Sequence, residues 1–171
     1  MTRHPGDTRH LIDLADLQPG ARVLDLGAGD GDGVRLLRSL GYDACGVDQN
    51  AAPDVAAGDL LRTGFPDGSF DAVMSECAFF VSSDVPGALR ESARLLKPGG
   101  TLLLADVFFE SPEPLLEAAG FQLLVKEDWT VAWREYYLRA LWEGTIETCP
   151  APKGKSQYWM LIGRRGSNGS V

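Results

Sequence analysis

Short apolar runs and amphipathic stretches take turns along the whole chain. Residues 21–26, Ala-Arg-Val-Leu-Asp-Leu, form an apolar run that meets a cluster of glycines, and Val34, Leu37 and Leu40 then recur at helical spacing until Gly41 stops them. Strand, turn and helix follow in that order. Residues 42–48 predict a second strand, 55–57 a short third and 70–75 a fourth. Val85, Leu89, Ala93 and Leu96 share one face of a helix that starts near Asp84-Val-Pro86 and ends at Lys97-Pro-Gly-Gly100. Residues 101–106 predict a fifth strand, 114–119 a brief helix closed by Gly120, and 121–126 a sixth strand. Over 128–143 a helix opens on Asp128 as N-cap, carries Trp129, Trp133, Tyr136, Tyr137, Ala140 and Leu141 on one broad side, and is closed by Gly144. After a loop rich in proline and glycine, 157–163 finish as a strand. Such alternation calls for an α/β fold, with a parallel sheet covered by helices on both faces.

Composition narrows the class. The chain has 171 residues, 44% hydrophobic and 23% charged, which suits one compact domain whose core needs no metal or disulfide staple. We divide it into an N-terminal segment (1–20), a single domain (21–165) and a flexible tail (166–171). Cys45, Cys77 and Cys149 are far apart and form no CxxC or Cys/His cluster, so a structural zinc site and a disulfide framework are not expected, and a reducing cytoplasm is. The net charge of -8 would repel a polyphosphate backbone, which makes nucleic acid a poor partner. The first residues are polar and lack the apolar core of a secretory signal; the longest apolar run, 101–109, is interrupted by Asp106 and too short for a membrane span.

Chemistry begins at Asp25-Leu-Gly-Ala-Gly-Asp-Gly31. Glycines at 27, 29 and 31, directly after a predicted strand, let the backbone turn tightly and approach a ligand, and the helix that follows aims its positive end at an anion. The dinucleotide fingerprint G-x-G-x-x-G would need glycine at 32, where this chain has Asp32; the pattern here is G-x-G-x-G. Asp48 ends the second strand, where an acidic side chain can accept from both hydroxyls of a ribose. Together they predict an adenosyl ligand.

At this point the residues resemble a known family, the class I S-adenosylmethionine-dependent methyltransferases, and within it the quinone-biosynthesis C-methyltransferases. The matching text is Val23-Leu-Asp-Leu-Gly-Ala-Gly-Asp-Gly31, Gly46-Val-Asp48, Gly58-Asp59, Phe65-Pro-Asp-Gly-Ser-Phe-Asp-Ala-Val73 and Ala93-Arg-Leu-Leu-Lys-Pro-Gly-Gly100, in the family's order over roughly the first two thirds of the chain. The resemblance implies a Rossmann-like doubly wound sheet of about seven strands, mostly parallel, the last antiparallel. It implies S-adenosylmethionine as cofactor, S-adenosylhomocysteine as product and a small acceptor, apolar or aromatic. By the same resemblance Gly27, Ala28, Gly29 and Gly31 hold the methionine part, with Asp25 near its ammonium. Asp48 takes the ribose hydroxyls, Gln49 flanks the adenine, Asp59 accepts from its amino group and Leu60 packs on its ring. Residues 75–77, Glu76 among them, touch the methionine portion, and the N-terminal segment folds over the cofactor.

The acceptor side is less marked. Phe79-Phe80 and Phe108-Phe109, beyond the fourth and fifth strands, could wall an aromatic acceptor, although core packing is the commoner use of such pairs. Candidate bases are Glu76, Asp106, His10 and His4, of which Glu76 and His10 are the catalytic candidates; alignment in a dry pocket can supply most of the rate in a transfer from a sulfonium. Cys77 suggests a covalent route, but a lone cysteine at a strand end is usually a small apolar residue. Only residues 49–54 join the second and third strands, so the usual crossover helix is expected to be missing, and the chain after the fifth strand is also short. An open acceptor site follows, closed by the N-terminal segment, a partner subunit such as a second copy in a homodimer, or a large substrate. The rival readings are a protein or RNA methyltransferase, supported only by Lys153, Lys155, Arg164 and Arg165, and a non-catalytic cofactor-binding subunit.

Overall fold

The computed structural model describes residues 7–145 and 155–167. Seven strands, β1 (Arg22–Leu26), β2 (Asp43–Asp48), β3 (Val55–Ala57), β4 (Phe70–Glu76), β5 (Leu96–Phe108), β6 (Phe121–Asp128) and β7 (Gln157–Arg165), form one sheet in the order β3-β2-β1-β4-β5-β7-β6. β1 pairs in parallel with β2 and β4, β2 with β3, and β4 with β5; β7 runs antiparallel between β5 and β6. The expected Rossmann-like sheet, mostly parallel with an antiparallel last strand, is the sheet observed.

Alternate strand residues face opposite layers, as the two-residue repeat of a strand requires. Val23, Ala72, Met74, Leu103, Ala105, Met160 and Ile162 join one buried cluster with Leu11 and Ile12 of α1 (Thr8–Ala15), Val34 and Leu37 of α2 (Asp32–Ser39), and Trp133 of α5 (Thr130–Trp142). Leu24, Leu26, Val73, Leu102, Leu104 and Leu161 join the other, with Ala88, Leu89 and Leu95 of α3 (Val85–Leu95) and Leu116 of α4 (Glu113–Ala118). Each face of the sheet therefore has its own helical cover.

Several boundaries differ from the sequence reading, among them that β5 and β7 each run two residues past their expected ends. Residues 8–15, read only as part of an N-terminal segment, form α1: Asp7 accepts from the Arg9 and His10 amides, and Leu11, Ile12 and Ala15 are buried against the sheet. β5 starts at Leu96, so Lys97-Pro-Gly-Gly100 lies inside a strand whose pairing with β4 shifts register between Phe70 and Ala72. β6 runs two residues further than expected, to Asp128. α5 therefore begins at Thr130, and the Asp128 carboxylate accepts from the Thr130 amide. Of the broad apolar side expected there, Trp133 and Ala140 are buried, while Leu141 is exposed. The missing crossover is as expected: no helix joins β2 to β3, and a tight turn with an Ala52–Val55 bridge takes its place. His4, Cys149 and Lys153 lie outside the described residues, as does the tail beyond Ser167; Gly166, the first residue of that tail, is still tied to the Gly120 carbonyl at 3.1 Å.

Candidate functional site

β1 sits where the strand order reverses, with β2 on one side and β4 on the other, and in open α/β sheets ligands lie beyond the carboxyl ends of the strands at such a point. A cavity of about 510 Å³ opens there. Its wall is built from the residues that follow β1 (Gly27, Ala28, Gly29, Asp30), β2 (Asp48, Gln49) and β4 (Glu76, Cys77, Ala78), with Asp25 at its floor. Leu60 contributes from the segment after β3.

The loop after β1 is shaped by what a side chain could not do there. Gly27 has φ +76°, and a Cβ on it would fall 2.2 Å from the Ala78 Cβ. Gly29 has φ +56°, and a Cβ there would meet nothing within 4 Å, because it would project into open space beside the cavity. The loop's amides are held internally: Gly27 and Ala28 donate to the Val47 carbonyl, Gly31 donates to Ala28, and Gly29 donates to the Asp48 carboxylate at 3.0 Å. The glycines thus provide closeness of approach, and those four amides have partners within the protein.

Asp48 accepts from both Gly29 and Asn50, so one carboxylate fixes the loop after β1 against the end of β2. Asp25 is buried. Burial first, and the Asp48 charge second, push its carboxyl up to about 7. Glu76 accepts from the Thr8 hydroxyl at 2.9 Å. Burial raises it to about 8; that hydrogen bond pulls it down in part, and the Asp25 and Asp7 charges add to the rise. Two carboxyls of one cavity are thereby poised near neutrality, a pattern found where charge is about to be introduced or moved.

Asp25, Gly27, Ala28, Gly29, Asp48, Gln49, Leu60 and Glu76 are brought together at the cavity wall. Gly31, Asp59 and His10 are not part of that wall. Gly31 forms the turn into α2, and Asp59 is exposed, with Oδ1 accepting from the Leu61 amide. His10 points along α1 to the far end of β6, where its Nε2 lies 2.8 Å from Glu127 Oε2 and its ring lies beside Trp129. Asp106 is also outside the wall: it is buried and accepts from the Phe79, Phe80 and Val107 amides, holding the turn after β4. Burial lifts its carboxyl to about 6 against the pull of those bonds.

The Phe pairs take their ordinary use. Phe79 and Phe108 are buried in the core, and Phe80 packs against Phe109 at 5.6 Å between ring centroids. Cys77 lines the cavity with its Sγ 3.4 Å from the Tyr158 hydroxyl, and burial pushes its thiol well above the usual range, which keeps it from being a thiolate nucleophile. Sequence reasoning missed Thr8, Asp32, Gly33, Leu36, Val81, Ser82 and Tyr137, which also line the cavity. Leu11, Ile12 and Ala15 behind an Asp7 cap could have signalled α1 and hence Thr8. Tyr137 belonged to an aromatic side from which no spacing singled it out.

A methyltransferase domain model matches residues 24–104. The chain is 31% identical to 2-methyl-6-phytyl-1,4-hydroquinone methyltransferase of Synechocystis sp., over 92% of its own length and 62% of the relative's. It is 35% identical to demethylmenaquinone methyltransferase of Beutenbergia cavernae, over 67% of this chain and 52% of that one. It therefore spans about three fifths and about half of these two proteins. Among solved structures, phosphoethanolamine N-methyltransferase 2 of Haemonchus contortus in complex with S-adenosyl-L-methionine matches with a TM-score of 0.74 at 19% identity, covering 93% of this chain and 52% of that one. At that identity the likeness is one of fold.

Proposed function

We propose that the chain is a class I S-adenosylmethionine-dependent methyltransferase that transfers a methyl group to a small apolar or aromatic acceptor; the methyltransferase domain match and the two quinone-methyltransferase relatives support this reading. The observation that carries the reading is the cavity itself, where Asp48, the Gly27–Gly29 backbone, Asp25 and Glu76 meet at the strand ends. S-adenosylmethionine supplies the electrophilic methyl group on a sulfonium. The residues fit such a molecule. Asp48 takes the ribose hydroxyls, and Gln49 and Leu60 flank the adenine, while Asp59, outside the cavity wall, holds the turn beside Leu60. Asp25 faces the ammonium group, while the Gly27–Gly29 backbone, with Gly31 shaping the turn behind it, lets the methionine part lie close.

Glu76 is the chain's group for receiving the acceptor's proton. Thr8 orients it by donating to Oε2; burial raises its carboxyl to about 8, and a cationic sulfonium beside it would favour the ionised form that accepts the proton. His10, paired with Glu127 away from the cavity, is left out of this step. Leu36, Ala78, Val81 and Tyr137 give the acceptor side its apolar surface. In-line transfer then depends on alignment and on keeping water out.

Among the described residues no helix is long and apolar enough to cross a membrane. We place the protein in a reducing cytoplasm, a setting that suits the free thiols of Cys45 and Cys77. The exposed Val131, Leu138 and Trp142 on α5 suit a homodimer, which size-exclusion chromatography at two concentrations would detect.

The test is formation of S-adenosylhomocysteine with a panel of phenols, hydroquinones and thiols. Turnover with at least one class, reduced about a hundredfold or more in kcat by Glu76→Gln, is expected. Inertness toward every class, in a protein that still binds cofactor, would favour the non-catalytic subunit instead.

A further inference from the structure

His10 takes no part in the proposed transfer, yet it sits at a junction of three elements. Hydrogen bonds from Trp129 and His10 hold the Glu127 carboxyl below its ordinary value, so at neutral pH it is charged and can only accept. Its Oε2 accepts from both: His10 Nε2 lies 2.8 Å away and Trp129 Nε1 lies 3.0 Å away. The two rings that meet on it are 5.5 Å apart between centroids. His10 belongs to the first turn of α1, Glu127 to the end of β6, and Trp129 is the N-cap of α5. Two of these elements continue into the cavity wall, α1 through Thr8 and α5 through Tyr137. Thr8 and His10 are two positions apart, a spacing that sends side chains to different sides of a helix. The first turn of α1 is thereby pinned twice: toward β4 by Thr8, whose hydroxyl donates to Glu76 at 2.9 Å, and toward β6 by His10. Leu11, Ile12 and Ala15 anchor the remainder of α1 in the core, which leaves Thr8 and His10 to place its beginning.

We propose that Glu127 is a positioning residue: by holding His10 and Trp129 on one carboxylate oxygen it fixes the starts of α1 and α5 together, and so keeps the Thr8 side of the cavity closed over a bound cofactor. The inference rests on the cofactor reading above and adds to it a group, outside the cavity wall, that governs how fast the ligand leaves. Its exposure suits that use. The His10 and Glu127 side chains are 38% and 36% exposed, and a pair so accessible to water adds little to global stability while still deciding where a turn that the core does not grip will sit. Elements that open and close over a site come from such weakly held parts of a fold, and their opening sets the rate at which ligands are released.

The test needs no knowledge of the acceptor: radiolabelled S-adenosylhomocysteine is bound and its release followed during a chase with unlabelled ligand. In Glu127→Ala, release is expected to quicken by about threefold or more while circular dichroism shows the fold retained. Glu127→Gln, which keeps one acceptor oxygen, should fall between that variant and the parent. His10→Ala, which cuts the α1 arm alone, is expected to behave like Glu127→Ala and serves in its place if that variant does not fold. Thr8→Val should also speed release, and combined with Glu127→Ala it should add nothing further, because both changes free the same turn. Release at the parent rate from Glu127→Ala and His10→Ala, or effects of Thr8→Val and Glu127→Ala that multiply, would overturn the inference and leave the cofactor reading intact. Failure of the unaltered protein to bind S-adenosylhomocysteine would remove both.

Discussion

Two glycines two positions apart do different work. At Gly27 a methyl group would collide with Ala78 and sit at a φ that side chains rarely adopt, so Gly27→Ala is expected to lower the melting temperature and abolish cofactor binding together. At Gly29 the new Cβ meets open space beside the cavity, so only the left-handed φ is penalised, by about 1 to 2 kcal/mol. Gly29→Ala should therefore keep the fold, seen by circular dichroism, while weakening the cofactor. Asp48→Ala removes the proposed ribose acceptor and the acceptor for the Gly29 and Asn50 amides, and about 1 to 3 kcal/mol of binding is expected to go with it. Unchanged affinity in calorimetry would take Asp48 out of the site. At this scale the sequence is informative where chemistry forces residue type: alternating glycines and an acid at a strand end. It is silent where a side chain reaches the site only through folding. Thr8, 68 residues from Glu76, and Tyr137 on α5 are of that second kind.

Elements were legible where their repeat was strong and blurred where two signals overlapped. β1, β2 and β4 carry near-continuous apolar runs and were located to within a residue. β5 extends backwards through Lys97-Pro-Gly-Gly100 because Leu96 pairs with Phe70 across an irregular register, a tertiary pairing that overrides residues normally read as a stop. α5 hid its facing: Trp133 is buried while Val131, Leu138 and Trp142 are exposed, so apolar character surrounds the helix instead of forming one stripe. The turn between β4 and α3 depends on one group. Asp106 accepts from three backbone amides, Phe79, Phe80 and Val107, and Asp106→Ala would leave them buried without that partner. A loss of roughly 3 kcal/mol or more is expected, read as a lower urea midpoint at unchanged slope. A midpoint within error of the parent would show that water satisfies those amides. Asp84, which caps α3 by accepting from Gly87 at 2.8 Å, is worth about 1 kcal/mol by the same measurement on Asp84→Ala.

Over the whole molecule, buried and exposed carboxyls pull stability in opposite directions as pH changes. Asp106, Asp25 and Glu76 titrate at about 6, 7 and 8 in the folded chain, above the value near 4 expected when unfolded. Their contribution is full below that unfolded value and is lost as pH rises through 6 to 8. Glu113, held at about 2 mainly by its bond to Lys126, together with Asp71, Glu127 and Asp128, behaves in the reverse sense and loses stability in acid. The ligand-free protein should thus melt highest near pH 4 to 4.5, where the acid-sensitive pairs are still charged, and progressively lower as pH rises toward 8. A flat profile across that upper range would contradict the burial of these groups. A cation placed beside Asp25 and Glu76 favours their charged forms, so cofactor binding at neutral pH is expected to release protons, seen as a dependence of the binding heat on the buffer's ionisation enthalpy.

The most direct measurement is a calorimetric titration of the unaltered protein with S-adenosylhomocysteine, alongside Gly29→Ala. The cavity at the ends of β1, β2 and β4 predicts saturable one-to-one binding that Gly29→Ala weakens at least tenfold without unfolding. No heat up to millimolar ligand, or equal affinity in the two proteins, would contradict the placement of an adenosyl cofactor in that cavity.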